Sequence, residues 1–414
     1  MLLRVDADRL RADFDALAAI GAMPDGGVDR TTFSEPHLSA RAWFHERATA
    51  AGLETRIDGA ANHSAVLPAR ELGAPALLLG SHLDSVRRGG RFDGALGVVC
   101  ALEVLRAVQD AGLELPVALE AIDFTDEEGT LIGTFGSLAL VGGLTREGLA
   151  APRGGRELLV AEIARMGLSE EGILAARRDP ATLAGYLELH IEQGPVLEQA
   201  GVDIGIVTGI VGTASFTVAF AGEARHAGTT PMGTRRDAAV GAAAFVLAVE
   251  ELVVRDFPGA VATVGDIRIE PGSFNVVPGR ALLRLECRSL EAAEVASLAE
   301  ALAELAKTTA RDHGLGVTID PVGRVAPAPT AESVRTALTE AAAELGLTTM
   351  ELASGAGHDA QSLAAITQSG MVFVPSKGGI SHDPAEDTSW DDCVNGANVL
   401  LNAAVRLAEA ARQA

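Results

Sequence analysis

Basic charge and aromatic rings are what this chain has least of. Lys and Arg number 33 against 56 Asp and Glu, a net charge of -23. Such a surface repels nucleic acid and anionic membranes, so neither is expected as a partner. A small anionic substrate stays open, because a site's local field can differ in sign from the whole surface. Aromatics are 12 Phe, 2 Trp and 1 Tyr, which with 46 Gly suits an Ala/Val/Leu-rich α/β protein with many tight turns. The three cysteines, Cys100, Cys287 and Cys393, stand alone in apolar or helical segments. They read as buried reduced thiols, not a disulfide framework, and fit a cytoplasmic setting. The opening MLLRVDADRLRADFDAL is charged throughout and lacks an apolar signal core. The apolar stretch Gly241 to Val249 runs into Glu250 and Glu251 and is far too short to span a bilayer. A soluble protein is expected.

At 414 residues the chain is too long for one ordinary core, so two domains are expected. Arg9 to Ile20 and Ser39 to Ala51 have apolar positions at helical spacing. The largely apolar segments Ala76–Leu79, Val117–Phe124 and Tyr186–His190 read as buried strands, with a helix from Ala95 to Ala111. That alternation implies an α/β fold with a mostly parallel sheet. The middle changes character: strand Ser215–Ala221, helix Arg235–Val254, strands Val261–Ile269 and Arg280–Arg288, helix Glu291–His313, strand Gly316–Pro321. This β-α-β-β-α-β order is the split arrangement of ferredoxin-like modules. The expected organisation is a catalytic domain in two parts, residues 1–212 and 329–414, with an inserted ferredoxin-like α+β domain at 213–328. After it come a helix from Ser333, a strand at Met371–Val374 and a final helix, Trp390–Ala411.

Six residues carry the chemistry: His82, Asp93, Glu127, Glu128, His190 and His382. Each lies in a Gly- or Pro-punctuated segment after an apolar run, where strand ends project side chains into an α/β crevice. Imidazole with carboxylate suits zinc and similar divalent ions. His82-x-Asp84 can supply a ligand and the carboxylate that orients it; as a tripeptide it is equally a turn histidine beside a surface Asp. Asp93, in Gly89-Gly90-Arg91-Phe92-Asp93-Gly94, is either a helix N-cap or, as assigned here, a carboxylate bridging two cations. Glu127 and Glu128 follow a largely apolar strand, and adjacent residues leave an extended segment in different directions. Glu128 is assigned as ligand and Glu127 as general base, the exchanged assignment being the alternative. His82, Asp93 and His190 would hold one metal, and Asp93, Glu128 and His382 the other. Three protein ligands and an open position characterise a catalytic site.

At these residues the chain resembles the M20 metallohydrolases, specifically their hydantoinase/carbamoylase branch. The matching stretches run from residue 80 to 387: GSHLDSVRRGGRFDGALGVV, DFTDEEG, ELHIEQGPVLE, FAGEARHAGTTPMGTRRDA, FNVVPGR, SGAGHDA and VFVPSKGGISHDPAED. A histidine at the fourth ligand position, here His190, marks that branch. The resemblance implies a homodimer joined through the inserted domain. It implies hydrolysis of linear ureido or amide bonds of small carboxylates, such as N-carbamoyl-L-amino acids, allantoate or 3-ureidopropionate. It also implies that His226 polarises the scissile carbonyl from the partner subunit, that Asn275 and Arg288 hold the substrate carboxylate, and that Gln193 touches substrate. Arg288 suits that role independently, since a guanidinium grips a carboxylate with two parallel hydrogen bonds. His358 stands behind the ligands at most. One departure bears on substrate: relatives follow the paired glutamates with Gly-x-Arg-Phe-Gly, whereas this chain has Gly129-Thr130-Leu131-Ile132-Gly133. Another is Ala61-Asn62-His63 in place of an early Gly-Asn turn.

The expected mechanism uses two divalent cations, zinc foremost with manganese, cobalt or nickel as alternatives, to activate water. Glu127 takes and returns its proton, and His226 helps stabilise the oxyanion. An N-acyl amino acid or peptide substrate is a rival within the enzyme class. A metal-binding relative without turnover is the rival outside it, although such a protein has no need of a free base at Glu127.

Overall fold

Aliphatic runs without polar interruption must be buried on both faces, so they make the central strands of a covered sheet. The computed structural model describes residues 2–411, and the chain divides into two compact units. One runs to Thr208 and resumes at Thr330; the other is Gly209–Pro329. In chain order the strands are β1 (Glu54–Ile57), β2 (His63–Leu67), β3 (Ala76–His82), β4 (Ala118–Phe124), β5 (Leu183–Ile191), β6 (Ile204–Ile210), β7 (Gly212–Ala221), β8 (Val261–Glu270), β9 (Arg280–Ser289), β10 (Gly316–Val325), β11 (Ala328–Pro329), β12 (Thr349–Ser354) and β13 (Ser369–Val374). No helix among the described residues is long and apolar enough to cross a membrane.

In the first unit β4, β3, β5 and β13 lie side by side in that order, all parallel. Antiparallel strands extend both edges: β2 and β1 beyond β4, and β6 beyond β13. This is the mostly parallel sheet that the alternating pattern implied. Its parallel strands share one carboxyl edge, and that edge positions the chemistry. The helix Ala95–Asp110 packs on β3, β4 and β5 and on helix Trp390–Ala410. All but its last two residues are buried, which explains its nearly unbroken apolar sequence.

Two local features depart from the sequence pattern. The second helix, Glu35–Ala50, starts four residues before the expected Ser39: Ser34 caps it, accepting from the His37 N–H, with Pro36 in the first turn. Between residues 134 and 182 the pattern assigned nothing, yet helices Phe135–Val141, Arg146–Ala150, Arg156–Arg165 and Glu170–Leu174 form there. They enclose a small core of Leu131, Phe135, Leu149, Leu159 and Ile173. Helices of five to ten residues are too short to display a periodic stripe.

The second unit is a four-stranded antiparallel sheet in the order β10-β7-β9-β8. Helices Ala238–Asp256 and Ala292–Asp312 complete the split β-α-β-β-α-β order. Along β7 buried and half-buried residues alternate, so one face carries Phe216, Val218 and Phe220 onto a core with Phe245, Leu283 and Leu298.

Candidate metal centre

The shared edge gathers the six residues. β3 ends at His82 and β5 at Ile191, with His190 one residue inside; Glu127 and Glu128 follow β4, and the loop after β13 carries His382. Asp93 precedes helix Ala95–Asp110, but it does not cap it: Gly94 occupies that position and no side chain caps the helix. The Asp93 carboxylate turns toward the histidines instead. Its Oδ1 is 3.0 Å from His190 Nε2 and its Oδ2 is 3.1 Å from His382 Nε2. The donor atoms of His82, Asp93 and His190 lie within 4.8 Å of one another, and so do those of Asp93, Glu128 and His382. One carboxylate therefore offers an oxygen to each of two donor sets.

Main-chain carbonyls fix the imidazoles at the strand ends. His82 Nδ1 lies 2.9 Å from the Asp84 carbonyl, and His190 Nδ1 lies 2.9 Å from that of Ile191. In both rings Nδ1–H is the donor, which turns Nε2 toward the centre. Gly94 admits this geometry: φ is +64°, and a Cβ there would stand 2.4 Å from the His82 ring. The Gly-rich loop thus allows a close approach to an imidazole.

Electrostatics fit a cation. Burial, then Glu128, pushes the Glu127 carboxyl well above the usual range; burial, then Asp93, does the same to Glu128. Burial would also raise Asp93, but hydrogen bonds to His190 and His382 outweigh it and hold that carboxyl well below the ordinary value. Burial lowers His190 as well, yet Asp93 prevails and lifts it to about 9. Buried carboxylates crowded beside imidazoles repel one another unless positive charge sits among them, and a His/carboxylate set suits a borderline divalent ion. The two acids differ in their surroundings. Glu128 Oε2 is 3.4 Å from His382 Nε2, and its Oε1 accepts from the Val86 N–H at 3.3 Å. Among the described residues the Glu127 carboxylate accepts no hydrogen bond; its Oε2 stands 3.6 Å from His82 Nε2.

Asp84 corrects one expectation. Its carboxylate does not orient His82, from which it stands 3.8 Å away. It accepts instead from the Glu127 and Glu128 N–H groups, at 3.2 and 3.3 Å, and from Thr32 Oγ at 3.0 Å. Burial, then Asp126, pushes Asp84 up to about 7. Asp126 in turn accepts from the N–H groups of Leu131, Ile132 and Gly133, so the departing loop is firmly held. The Arg153 guanidinium lies against that loop, where a Cβ on Gly129 would be 2.6 Å from its Nη1. An arginine thus reaches this place from elsewhere in the chain. Gln193, expected on substrate, donates to Asp93 Oδ2 at 3.0 Å and to Ser381 Oγ at 3.2 Å. His358 is buried edge-on against His190, ring centroids 4.6 Å apart, with Nε2 2.8 Å from Ser354 Oγ. Glu188, His190 and His358 form a third donor group. Glu188 is already occupied by Ser81 Oγ, Tyr186 OH and the Ala360 N–H, so that group is a buried hydrogen-bond network. Sequence reasoning missed Glu386, whose carboxylate accepts from the Phe92 and Asp93 N–H groups.

Within the second unit His226 and Asn275 come together. The β7–β9 ladder continues past the sheet as a ribbon, with Gly222 N–H on Gly279 O, Val277 N–H on Arg225 O and Ala227 N–H on Asn275 O at 2.7–2.9 Å. Both side chains are exposed there. Arg288 is not with them. It lies at the other end of β9, paired with Glu286, eight residues beyond Arg280 and so roughly 26 Å along the strand.

Strand-end imidazoles, a shared aspartate and an unengaged acid define a metal-dependent hydrolase. The chain belongs to peptidase family M20/M25/M40, whose profile matches residues 78–406. It is 37% identical to the N-carbamoyl-L-amino acid amidohydrolase of Geobacillus stearothermophilus, over 98% of this chain and 99% of that one. Identity to the allantoate amidohydrolase of Bacillus subtilis is 33%, over 95% of each chain. Its fold matches a hydantoinase/carbamoylase family amidase from Burkholderia multivorans with a TM-score of 0.90 and 35% identity, covering 98% of this chain and 99% of that one. The chain is an amidohydrolase, cleaving a non-peptide amide C–N bond.

Proposed function

We propose that the chain hydrolyses the ureido group of an N-carbamoyl-L-amino acid at a centre of two divalent cations. Asp93 carries this reading, because its two oxygens serve two donor sets. His82, Asp93 and His190 would hold one cation and Asp93, Glu128 and His382 the other, zinc being the first candidate. Bound there, the cations supply charge that acidifies water and polarises the carbonyl. Glu127, with no hydrogen bond on its carboxylate among the described residues, takes the proton of the attacking water and returns it to the leaving nitrogen. The products are the free amino acid, ammonia and carbon dioxide. His226 steadies the oxyanion, while Asn275 and Arg288 hold the substrate carboxylate. Asn275 lies in the ribbon that precedes Arg280, and Arg288 lies roughly 26 Å along β9 beyond Arg280, so within one unit the two do not grip one carboxylate and the reading draws on two copies of the chain. An apolar stripe supports such a homodimer: Val240, Leu247 and Val254 are exposed at seven-residue spacing on helix Ala238–Asp256, beside the edge strand β8 with Val261 and Ile267 exposed. Three buried free cysteines support a cytoplasmic location.

Glu127→Gln tests the mechanism. With two equivalents of metal still bound, turnover should fall about 10²–10⁴-fold, and an undiminished rate overturns the assignment. A panel of N-carbamoyl-L-amino acids, allantoate, 3-ureidopropionate and N-acyl amino acids, assayed with zinc, manganese, cobalt and nickel, identifies the substrate. Allantoate is the second reading, favoured by the relative of that name. Two bound metals with no turnover on the whole panel would leave a metal-binding protein.

A further inference from the structure

The two donor sets are built differently. His82 and His190 end buried strands and are each oriented by a main-chain carbonyl. His382 sits in a loop with φ +56° and its side chain is 50% exposed. Among the described residues its Nδ1 makes no hydrogen bond. Beside a direct approach of Ser381 Oγ to Asp93 Oδ2 at 3.3 Å, the loop is tied by one buried acid, Glu386, which is 3% exposed. Glu386 Oε1 accepts from the Phe92 N–H at 2.9 Å and the Asp93 N–H at 3.1 Å, while Oε2 accepts from Ser381 Oγ at 2.9 Å. The fit leaves no slack: a Cβ on Gly90 would lie 2.0 Å from this carboxylate. One side chain thus fastens the loop bearing Asp93 to the residue before His382. Gln193, on Asp93 and Ser381, makes a parallel and weaker link.

The Asp93 loop has other anchors. Gly89 and Val28 exchange two main-chain hydrogen bonds of 2.9 and 3.0 Å, and Leu96 N–H reaches Phe92 O at 3.0 Å. The Ser381–His382 step has far less to hold it. We propose that Glu386 is a positioning residue that sets the His382 side of the centre and thereby governs cation affinity at Asp93, Glu128 and His382 much more than at His82, Asp93 and His190. The inference rests on the two-cation reading above. A residue that only stiffened the glycine loop would act through Asp93 on both sets alike.

The test titrates metal-free full-length protein with Zn²⁺ by calorimetry, and with Co²⁺ by visible absorption. Wild type should bind two equivalents in resolvable steps. Glu386→Ala should weaken one step about tenfold or more, the scale on which residues supporting metal ligands act, and change the other less than about threefold. Glu386→Gln should recover most of the loss, since an amide oxygen still accepts from Phe92 and Asp93 and the amide N–H can meet Ser381 Oγ. Ser381→Ala removes the tie to Glu386 and the 3.3 Å approach of Ser381 Oγ to Asp93 Oδ2, the oxygen that faces His382, and should weaken the same step, a readout that survives if Glu386→Ala fails to fold. Equal weakening of both steps, or an unchanged pair of constants in Glu386→Ala and Ser381→Ala, overturns the proposal. A wild type that takes up one equivalent defeats the two-cation reading itself, and that arm alone distinguishes the two failures.

Discussion

Single atoms decide the geometry around His82. The ring is buried, so burial works against its protonation and keeps Nε2 a lone-pair donor. Its neighbour Gly94 is the one place in the loop where a side chain cannot exist without moving that ring. Gly94→Ala adds a methyl group 2.4 Å from the imidazole and asks alanine to adopt φ +64°. Metal affinity at the set containing His82 should fall more than about tenfold, with the far-ultraviolet circular dichroism unchanged. Unaltered affinity would mean that the imidazole yields freely, and its fixed pose would then be irrelevant. At this scale the donors were readable in the chain. His82, Glu128 and His190 each follow an apolar run, and the fold sends such run ends to one edge. Glu386 was not readable, because its partners Phe92 and Asp93 lie some 294 positions away and nothing local marks an acid that accepts distant N–H groups.

Among the elements, the strand ends are stiffened from behind by ionised side chains. Arg41, 1% exposed, places Nε 2.8 Å from Asp123 Oδ2 and Nη2 2.9 Å from Thr125 Oγ1. Asp123 Oδ1 accepts from the Leu83 N–H at 2.8 Å, so this pair links helix Glu35–Ala50 to the ends of β3 and β4. Arg41→Ala leaves the Asp123 carboxylate buried without its cation, a change costing about 3–5 kcal/mol. Denaturant unfolding of metal-free protein should show that loss as a lower midpoint with an unchanged slope. A change within about 1 kcal/mol would show that water replaces the guanidinium and that the pair is not a stiffener. The element pattern itself was legible wherever burial was two-sided or strictly alternating, as in β3, β4 and β7. It failed for the helices between Phe135 and Leu174, whose order comes from a shared small core around Leu131 and Phe135 and not from their own periodicity.

Over the whole molecule, the roles proposed for His226, Asn275 and Arg288 require a second chain. His226 and Asn275 share one ribbon, and Arg288 stands roughly 26 Å along β9 from the ribbon's root. In a two-fold dimer each site would then take His226 and Asn275 from one chain and Arg288 from the other. This arrangement has an arithmetic consequence. His226→Ala and Arg288→Ala should each abolish most turnover as pure proteins. Unfolded, mixed in equal amounts and refolded, half the dimers contain one chain of each kind. One of the two sites in such a dimer has every wild-type group, and the other lacks both. Activity should therefore return to about one quarter of wild type, while mixing His226→Ala with Asn275→Ala should restore nothing, because those two residues enter a site from the same chain. Size-exclusion chromatography with light scattering must show a dimer in every mixture. If His226→Ala and Arg288→Ala fail to complement although mixed dimers form, all three groups serve a site from one chain, and the separation along β9 has to be closed by a rearrangement of the second unit.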